Sequence, residues 1–262
     1  MIGRLIILLN LLVFSLCSAP DQRDSSFGFA SLKGTNSNKM NYRYYLPNTS
    51  HSDRIPLILF LHGANGRGED NIKHLDYAAT FWASPEVQNK YPAYILAPQC
   101  PPNRQFVNTS FKTTPFDHYV QDSIPESDEL IMVLDLVNEF CHTYSIDTSR
   151  IYIVGFSMGA SGTWDLITRH SGVFSAAIIM AGVSDTSKAE TITHIPIWAF
   201  NGENDAIAPA KLNKEMVKTI NEMGGNAQHT VFIGIGHDCI RQTYQTSGLI
   251  DWLFSQHLKT SD

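Results

Sequence analysis

Short apolar runs alternate with segments of mixed polarity along most of the chain. Three of these runs, Ile55–Leu61, Ile151–Val154 and Phe174–Met180, contain few or no polar residues. Two further runs, Ile195–Phe200 and Thr230–Ile235, have the same character. Strands that are buried on both faces read as nearly continuous apolar runs, so each of the five is predicted to be a buried strand of a parallel sheet.

Helical periodicity occupies the intervals between these strands. Over residues 130–144 the apolar side chains that share one side are Leu130, Ile131, Leu134, Val137, Phe140 and Tyr144. The segment Met158–His170 also carries apolar positions compatible with a helix. This alternation favours an α/β fold whose mostly parallel, doubly wound sheet is flanked by helices.

The composition is that of one globular unit. The chain has 262 residues, of which 43% are hydrophobic and 17% are charged, and it contains no solenoid-type repeat and no low-complexity tract. A single catalytic domain is therefore predicted over residues 39–262, after an N-terminal extension over residues 20–38.

The first residues predict a secretory signal peptide over residues 1–19. A short basic start ends at Arg4, an apolar run covers Leu5–Leu16, and small residues follow up to Ala19. The run is short for a membrane span, so a retained anchor is the less favoured alternative to a secreted or periplasmic protein. Removal of Arg4 leaves a net charge of 18 − 25 = −7, which disfavours nucleic-acid and anionic-membrane partners.

The most specific motif is Gly155-Phe-Ser157-Met-Gly159, a Gly-x-Ser-x-Gly pentapeptide. It follows the predicted strand Ile151–Val154 and precedes the predicted helix Met158–His170, which is the context of a nucleophile elbow. Glycines two positions before and after the serine leave room for the strand and the helix to approach the turn. Ser157 is therefore predicted to be a catalytic nucleophile.

A serine nucleophile needs a general base and an acid that orients the base. Asp205 and His237 each follow a predicted strand, and the order Ser157, Asp205, His237 is that of α/β-hydrolases. Asp205 is the preferred acid, with Glu203 and Asp185 as rivals. An ordinary helix-capping role for Asp205 is the non-catalytic alternative.

Two backbone N–H groups are predicted to form an oxyanion hole. One belongs to Met158, the residue after the nucleophile, and the other to Ala64 in the loop after Ile55–Leu61, with Gly63 as the alternative. His62 stands beside this loop. A histidine in a His-Gly turn more often braces the loop than transfers protons, so a structural role is favoured.

Longer stretches around these motifs resemble a known family. They are Met40–Pro47, Leu61–Ala64, Ala97–Pro101 and Ile146–Trp164. Here the chain resembles small α/β-hydrolase esterases related to feruloyl esterases, polyhydroxybutyrate depolymerase-like proteins and the "predicted peptidase" or phospholipase-carboxylesterase proteins. The resemblance implies the α/β-hydrolase fold and ester hydrolysis through an acyl-enzyme, in which His237 is acid and base and Asp205 orients it.

The expected function is that of a secreted serine carboxylic-ester hydrolase. Its expected substrates are small acyl or feruloyl-type esters, including esters linked to plant polysaccharides. The alternatives are a serine peptidase of prolyl-oligopeptidase-like type and a catalytically silent binding protein on the same scaffold. The chain has no zinc signature, P-loop or dinucleotide fingerprint, so no cofactor and no metal are expected.

Residues 101–125 form the longest stretch without clear periodicity, and they are predicted to border the pocket. Their aromatic residues are candidates for stacking on an aromatic or sugar group, although packing within the loop is favoured: Phe106, Phe111, Phe116 and Tyr119.

Three cysteines remain after the predicted signal peptide, namely Cys100, Cys141 and Cys239. In an exported protein two of them are expected to pair. The pairing of Cys100 with Cys141 is one hypothesis, and a disulfide of Cys239 that steadies the histidine loop is the other.

Overall fold

The computed structural model describes residues 26–34, 38–48, 54–109 and 116–258. The predicted signal peptide, residues 1–19, lies outside the described residues. No helix of the described ranges is long and apolar enough to cross a membrane.

An eight-stranded sheet runs through the described chain, with the spatial order β1-β2-β4-β3-β5-β6-β7-β8. The first two strands pair antiparallel with their neighbours, and all strands from β3 to β8 are parallel. The predicted doubly wound, mostly parallel sheet is therefore confirmed. The strands are β1 (Gly28–Lys33), β2 (Lys39–Tyr45), β3 (Ile55–Leu61), β4 (Tyr94–Gln99), β5 (Ile146–Phe156), β6 (Ala176–Met180), β7 (Ile197–Gly202) and β8 (Ala227–Phe232).

Helices cover both faces of this sheet. The α-helices are α1 (Tyr77–Thr80), α2 (Pro85–Gln88), α3 (Asp128–Thr143), α4 (Met158–Arg169), α5 (Ala210–Glu222), α6 (Ile240–Tyr244) and α7 (Leu249–Phe254). Short 3₁₀ helices span Ala64–Gly66, Phe81–Ala83, Gln121–Ser123 and Thr186–Ile192.

Alternate residues of the central strand β3 serve two hydrophobic cores. Leu57 and Leu59 face the core built with α3, α4 and α5, whereas Ile58 and Phe60 face the core built with α1, α2, α6 and α7. Side chains of a strand alternate between its two faces, so a strand covered on both faces must be apolar throughout. This explains why all seven residues of β3 are buried.

The sheet begins before the predicted domain boundary. β1 lies within the segment predicted to be an extension, and it pairs with β2 in a register that places Gly28 opposite Tyr44. The strand is half exposed and alternates along its length, so it carries no continuous apolar run. The domain start at residue 39 is therefore corrected to include Gly28–Lys33.

Two further expectations are corrected at the surface. The last predicted strand, Thr230–Ile235, lies three residues earlier in the structure, at Ala227–Phe232, and Ile233 beyond it is 78% exposed. β8 is an edge strand with a single neighbour, and only Ala227 of its six residues is buried. In α3, Ile131 is exposed while Leu130 is buried.

The cysteines do not form the expected disulfide. Cys100, Cys141 and Cys239 are all free thiols in the described chain. Cys100 follows the end of β4, whereas Cys141 lies in the last turn of α3, close to Tyr144, whose ring contacts Tyr94 at the start of β4. Cys239 belongs to the core on the opposite face of the sheet. The fold therefore separates the three thiols.

Candidate active site

Ser157 occupies a strained turn between β5 and α4. Its φ of 53° and ψ of −114° lie in a region that non-glycine residues rarely adopt. The turn is held because the Ser157 N–H donates to the Met180 carbonyl oxygen at 2.8 Å, at the end of the neighbouring strand β6. The serine is the residue that precedes the first turn of α4.

Close backbone packing explains the two motif glycines. A Cβ atom on Gly155 would lie 2.4 Å from the Gly159 carbonyl oxygen and 2.4 Å from Thr163 Oγ1. A Cβ atom on Gly159 would lie 1.9 Å from the carbonyl oxygen of Leu61 at the end of β3. Only glycine lets α4 approach the strand ends this closely, so both glycines position Ser157.

The three predicted residues meet in one hydrogen-bonded chain. His237 Nε2 lies 2.8 Å from Ser157 Oγ, and His237 Nδ1 lies 3.0 Å and 2.9 Å from Asp205 Oδ1 and Oδ2. A carboxylate only accepts hydrogen bonds, so Nδ1 carries the proton and Nε2 is left to accept the serine proton. This is the arrangement of a serine nucleophile with its base and orienting acid.

The Asp205 carboxylate is fixed by its own loop. Its side chain is fully buried. Its Oδ1 also accepts hydrogen bonds from the N–H groups of Ile207 and Ala208, each at 2.9 Å. The same carboxylate thus caps a turn and orients His237, so the capping and catalytic interpretations describe one side chain.

The rival carboxylates are engaged elsewhere. Glu203 Oε2 accepts from the N–H of Gly234 at 2.9 Å. Asp185 accepts from the N–H groups of Gln121 and Ser187, and caps a 3₁₀ helix. The His237 ring is hydrogen-bonded to Asp205 and Ser157 instead, and both rival carboxylates stabilise local structure.

A buried polar network that the sequence analysis missed supports the Asp205 loop. Asn201, the next-to-last residue of β7, donates to the carbonyl oxygen of Ala208 at 3.2 Å, which closes the loop around Asp205. The Oδ1 atom of Asn201 accepts from Asn213 at 2.8 Å and lies 3.0 Å from His229 Nε2. These residues are distant in sequence and join only when β7, α5 and β8 pack together.

The predicted oxyanion donors line the same cavity as Ser157. Met158 is the first residue of α4, and Ala64 is the first residue of a 3₁₀ helix after β3. N–H groups in the first turn of a helix have no partner within that helix, so they are available to a developing anion. Gly63 approaches the elbow so closely that a Cβ atom there would lie 3.6 Å from Ser157 Cβ.

His62 is buried beneath this loop and does not contact the serine. Its two ring nitrogens interact with backbone groups of Gly63 and Cys100. Burial lowers the pKa of the His62 imidazole to about 4, so the ring is neutral at pH 7. The structure thus gives His62 the bracing role that the sequence favours.

The cavity has a volume of about 350 Å³. Its apolar wall includes Phe116, Phe156, Ile207 and Ile240. Its polar and charged members, beyond Ser157 and His237, include Arg67, Gln105, Asp76 and Asp238. Arg67 Nε lies 3.2 Å from Met158 Sδ, and burial raises the pKa of the Asp76 carboxyl, which caps α1.

Only part of the aromatic loop faces this cavity. Phe116 lines it, whereas Phe106 and Tyr119 are buried in the protein core. Phe111 lies outside the described residues. Tyr119 is anchored by its hydroxyl, which donates to Asp165 Oδ1 at 3.0 Å. Packing into the protein core therefore accounts for two of the four aromatic residues.

No group of three or more histidine, cysteine or acidic residues is arranged to hold a metal ion in the described ranges.

The fold and the elbow together define an α/β-hydrolase. Residues 113–247 match the model of the dienelactone hydrolase family, which is about half of the chain. The chain belongs to that family.

Two relatives share sequence with the chain over different spans. A thermostable esterase of known structure superposes with a TM-score of 0.81 at 33% identity, over 88% of this chain and 63% of the esterase. Poly(3-hydroxyalkanoate) depolymerase C of Paucimonas lemoignei is 27% identical over 150 residues, which are 57% of this chain and 33% of the depolymerase. The chain thus spans less than two thirds of either relative.

A ferulic acid esterase superposes with a TM-score of 0.60 over 87% of this chain and 98% of its own, at 18% identity. At that identity the similarity shows the shared fold alone.

Proposed function

We propose that this chain is a serine-dependent carboxylic-ester hydrolase. The observation that carries the proposal is the 2.8 Å contact between His237 Nε2 and Ser157 Oγ, with the Asp205 carboxylate on the other ring nitrogen. The relatives named as an esterase and a polyhydroxyalkanoate depolymerase support the same reaction class.

The reaction proceeds in two steps. Ser157 Oγ attacks the ester carbonyl carbon while its proton passes to His237 Nε2, and the N–H groups of Met158 and Ala64 stabilise the oxyanion. The alcohol leaves with the proton from His237, which produces the acyl-enzyme. Water then gives a proton to His237 and attacks the acyl carbon, and the acid leaves as His237 returns that proton to Ser157 Oγ.

Small acyl and feruloyl-type esters, including those linked to plant polysaccharides, are the proposed substrates. The cavity of about 350 Å³ is at the small end of ligand sites, and its phenylalanine and isoleucine side chains suit a short or aromatic acyl group. The fold shared with a ferulic acid esterase is compatible with this choice. No cofactor takes part in the proposed reaction.

The test is hydrolysis of p-nitrophenyl acetate, methyl ferulate, a long-chain p-nitrophenyl ester and a peptide anilide. Wild type is compared with Ser157→Ala and with Ser255→Ala, a control at an exposed helix end. We expect ester turnover in the wild type and the control, and a loss of about 10⁴-fold or more in Ser157→Ala. Turnover that survives Ser157→Ala overturns the proposed nucleophile, and preferential anilide turnover favours the peptidase alternative.

Secretion is a separate part of the proposal. The basic start and apolar run of residues 1–19 support export with cleavage after that segment. Expression of the full chain in a secreting host, followed by N-terminal mass spectrometry of the medium and cell fractions, tests it. An uncleaved N-terminus in the cell fraction alone would contradict export.

A further inference from the structure

His62 is connected to two backbone segments through its two ring nitrogens. Nε2 lies 2.9 Å from the N–H nitrogen of Cys100, and Nδ1 lies 2.6 Å from the carbonyl oxygen of Gly63. Because an N–H group only donates, Nε2 must be the unprotonated nitrogen. The proton therefore lies on Nδ1, and His62 donates it to the Gly63 carbonyl oxygen.

That carbonyl belongs to the same peptide group as the Ala64 N–H. The peptide group is planar and trans, so its C=O and N–H point in opposite directions. The Gly63 oxygen accepts a second hydrogen bond from the Gly66 N–H at 2.9 Å. Two donors on the oxygen hold the peptide plane, and the orientation of the Ala64 N–H is held with it.

We propose that His62 is a positioning residue for the oxyanion hole, which aims the Ala64 N–H into the cavity by holding the Gly63 carbonyl on the opposite side. The inference rests on the proposed ester hydrolysis, for which Ala64 is an oxyanion donor. His62 touches neither the substrate nor the reacting atoms and acts through this peptide group.

The packing around the ring supports the assignment. His62 is 1% exposed, and the ring of Phe106 packs edge-on at 5.3 Å between centroids. A Cβ atom on Gly66 would lie 2.4 Å from His62 Nδ1, so the turn of the loop is built directly against this nitrogen. The contact with Cys100 connects the ring to the residue that follows the end of β4.

The expected consequence is a loss in kcat with little change in KM, because the oxyanion exists only in the transition state. Removal of a whole oxyanion donor costs about 10²- to 10³-fold in kcat, and a donor that is only misaligned costs less. For His62→Leu we expect kcat for p-nitrophenyl acetate to fall by roughly 10- to 100-fold, with KM within about 2-fold.

Four variants separate positioning from packing. His62→Leu removes both hydrogen bonds, whereas His62→Asn places an amide N–H near the position of Nδ1 and is expected to recover kcat to within about 5-fold of wild type. Phe106→Leu changes the packing against the ring but leaves its hydrogen bonds, and is the matched control. Gly66→Ala keeps the histidine but displaces the His62 ring, because the added Cβ atom would lie 2.4 Å from Nδ1. This variant replaces His62→Leu in the test if His62→Leu does not fold.

The decisive readout is the inhibition constant of a phenyl trifluoromethyl ketone. Ser157 Oγ adds to its carbonyl carbon, the serine proton passes to His237, and the resulting oxyanion occupies the proposed hole. We expect the inhibition constant to rise in His62→Leu and Gly66→Ala by the same factor by which kcat falls. An unchanged kcat, or a reduced kcat with an unchanged inhibition constant and no recovery in His62→Asn, would overturn the proposal.

Failure of the proposed function gives a different result. If the wild type has no Ser157-dependent ester turnover, the esterase proposal fails, and the ketone affinities of wild type, His62→Leu and His62→Asn decide the positioning role. A wild type that does not bind the ketone contradicts both proposals.

Discussion

Asp205 and His237 meet through a carboxylate–imidazole contact of 2.9 Å, although 32 residues and the strand β8 separate them along the chain. The contact forms because β7 and β8 are parallel neighbours, so that the loops after them lie at the same edge of the sheet. A Cβ atom on Gly202 would lie 2.0 Å from the Gly236 carbonyl oxygen, so the two loops are in direct backbone contact.

Replacement of this carboxylate tests its role. In Asp205→Asn the side chain keeps its size but offers an N–H in place of one oxygen, and His237 loses the partner that sets its tautomer. We expect kcat to fall by about 10³- to 10⁴-fold. The matched variant Glu203→Gln, which changes a carboxylate in the same loop, should stay within about 3-fold of wild type. Equal losses in both variants, measured with p-nitrophenyl acetate, would contradict the assignment of Asp205.

Gly159 is the position where a single methyl group should be least tolerated. Gly159→Ala introduces a Cβ atom 1.9 Å from a backbone oxygen, so α4 must move away from β3. We expect a loss of roughly 3 kcal/mol in the free energy of unfolding, measured by urea denaturation. Gly172→Ala is the matched control, since a Cβ atom there meets nothing within 4 Å. A loss of similar size in the control would contradict the steric explanation.

Buried histidines should make stability fall as the pH is lowered below neutrality. Burial lowers the pKa of His62 to about 4, of His74 to about 3 and of His229 to about 4. In the unfolded chain these groups titrate near their ordinary pKa of about 6.5, so between about pH 6.5 and 4 the unfolded state binds more protons. Their contribution to stability is complete above pH 6.5 and is lost as the pH falls through this window.

Each such proton contributes a slope of up to about 1.4 kcal/mol per pH unit. Urea denaturation at intervals between pH 7 and 4.5 measures the total slope. His229→Gln should lower this slope by up to about 1.4 kcal/mol per pH unit, because the variant removes one of the three titrating groups. The same slope in wild type and His229→Gln would contradict the prediction.

Phe116 should limit the length of the acyl group. Phe116 and Ile207 both line the cavity. The Phe116 N–H donates to the Ile207 carbonyl oxygen at 2.8 Å, which holds the two segments together. Phe116→Ala removes the ring from the apolar wall and enlarges the cavity. We expect the ratio of kcat/KM for p-nitrophenyl octanoate over acetate to rise by roughly 10-fold. A ratio that stays unchanged, or falls, would show that long acyl groups do not enter beside this ring.

Local sequence signals located most of the candidate site. The apolar runs at Ile55–Leu61 and Ile151–Val154 predicted strands that the structure contains, because a strand buried on both faces has no freedom to include polar residues. The spacing around Ser157 identified the elbow, since the turn excludes side chains at Gly155 and Gly159.

Strands with one exposed face were predicted less well. β1 carries alternating residues and little continuous apolar character, so its membership of the sheet depended on the partner strand β2. β8 lies at the opposite edge of the sheet and ends at Phe232. Ile233 follows it as an apolar but exposed residue, so the apolar run misplaced the end of the strand. The expected pairing of Cys100 with Cys141 was wrong for a different reason. Spacing along the chain does not reveal that Cys100 follows the end of β4, whereas Cys141 lies close to Tyr144, which contacts the start of the same strand.

By itself the sequence determined the α/β architecture, the elbow and the identities of Ser157, Asp205 and His237 as candidates, because these depend on residue type and local order along the chain. Only the tertiary structure decided between Asp205 and Glu203, since that choice depends on which carboxylate reaches His237 Nδ1. The same holds for the cavity wall at Phe116 and for the peptide group held by His62. Each of these is a contact between segments far apart in sequence, which forms when the strand ends meet at one edge of the sheet.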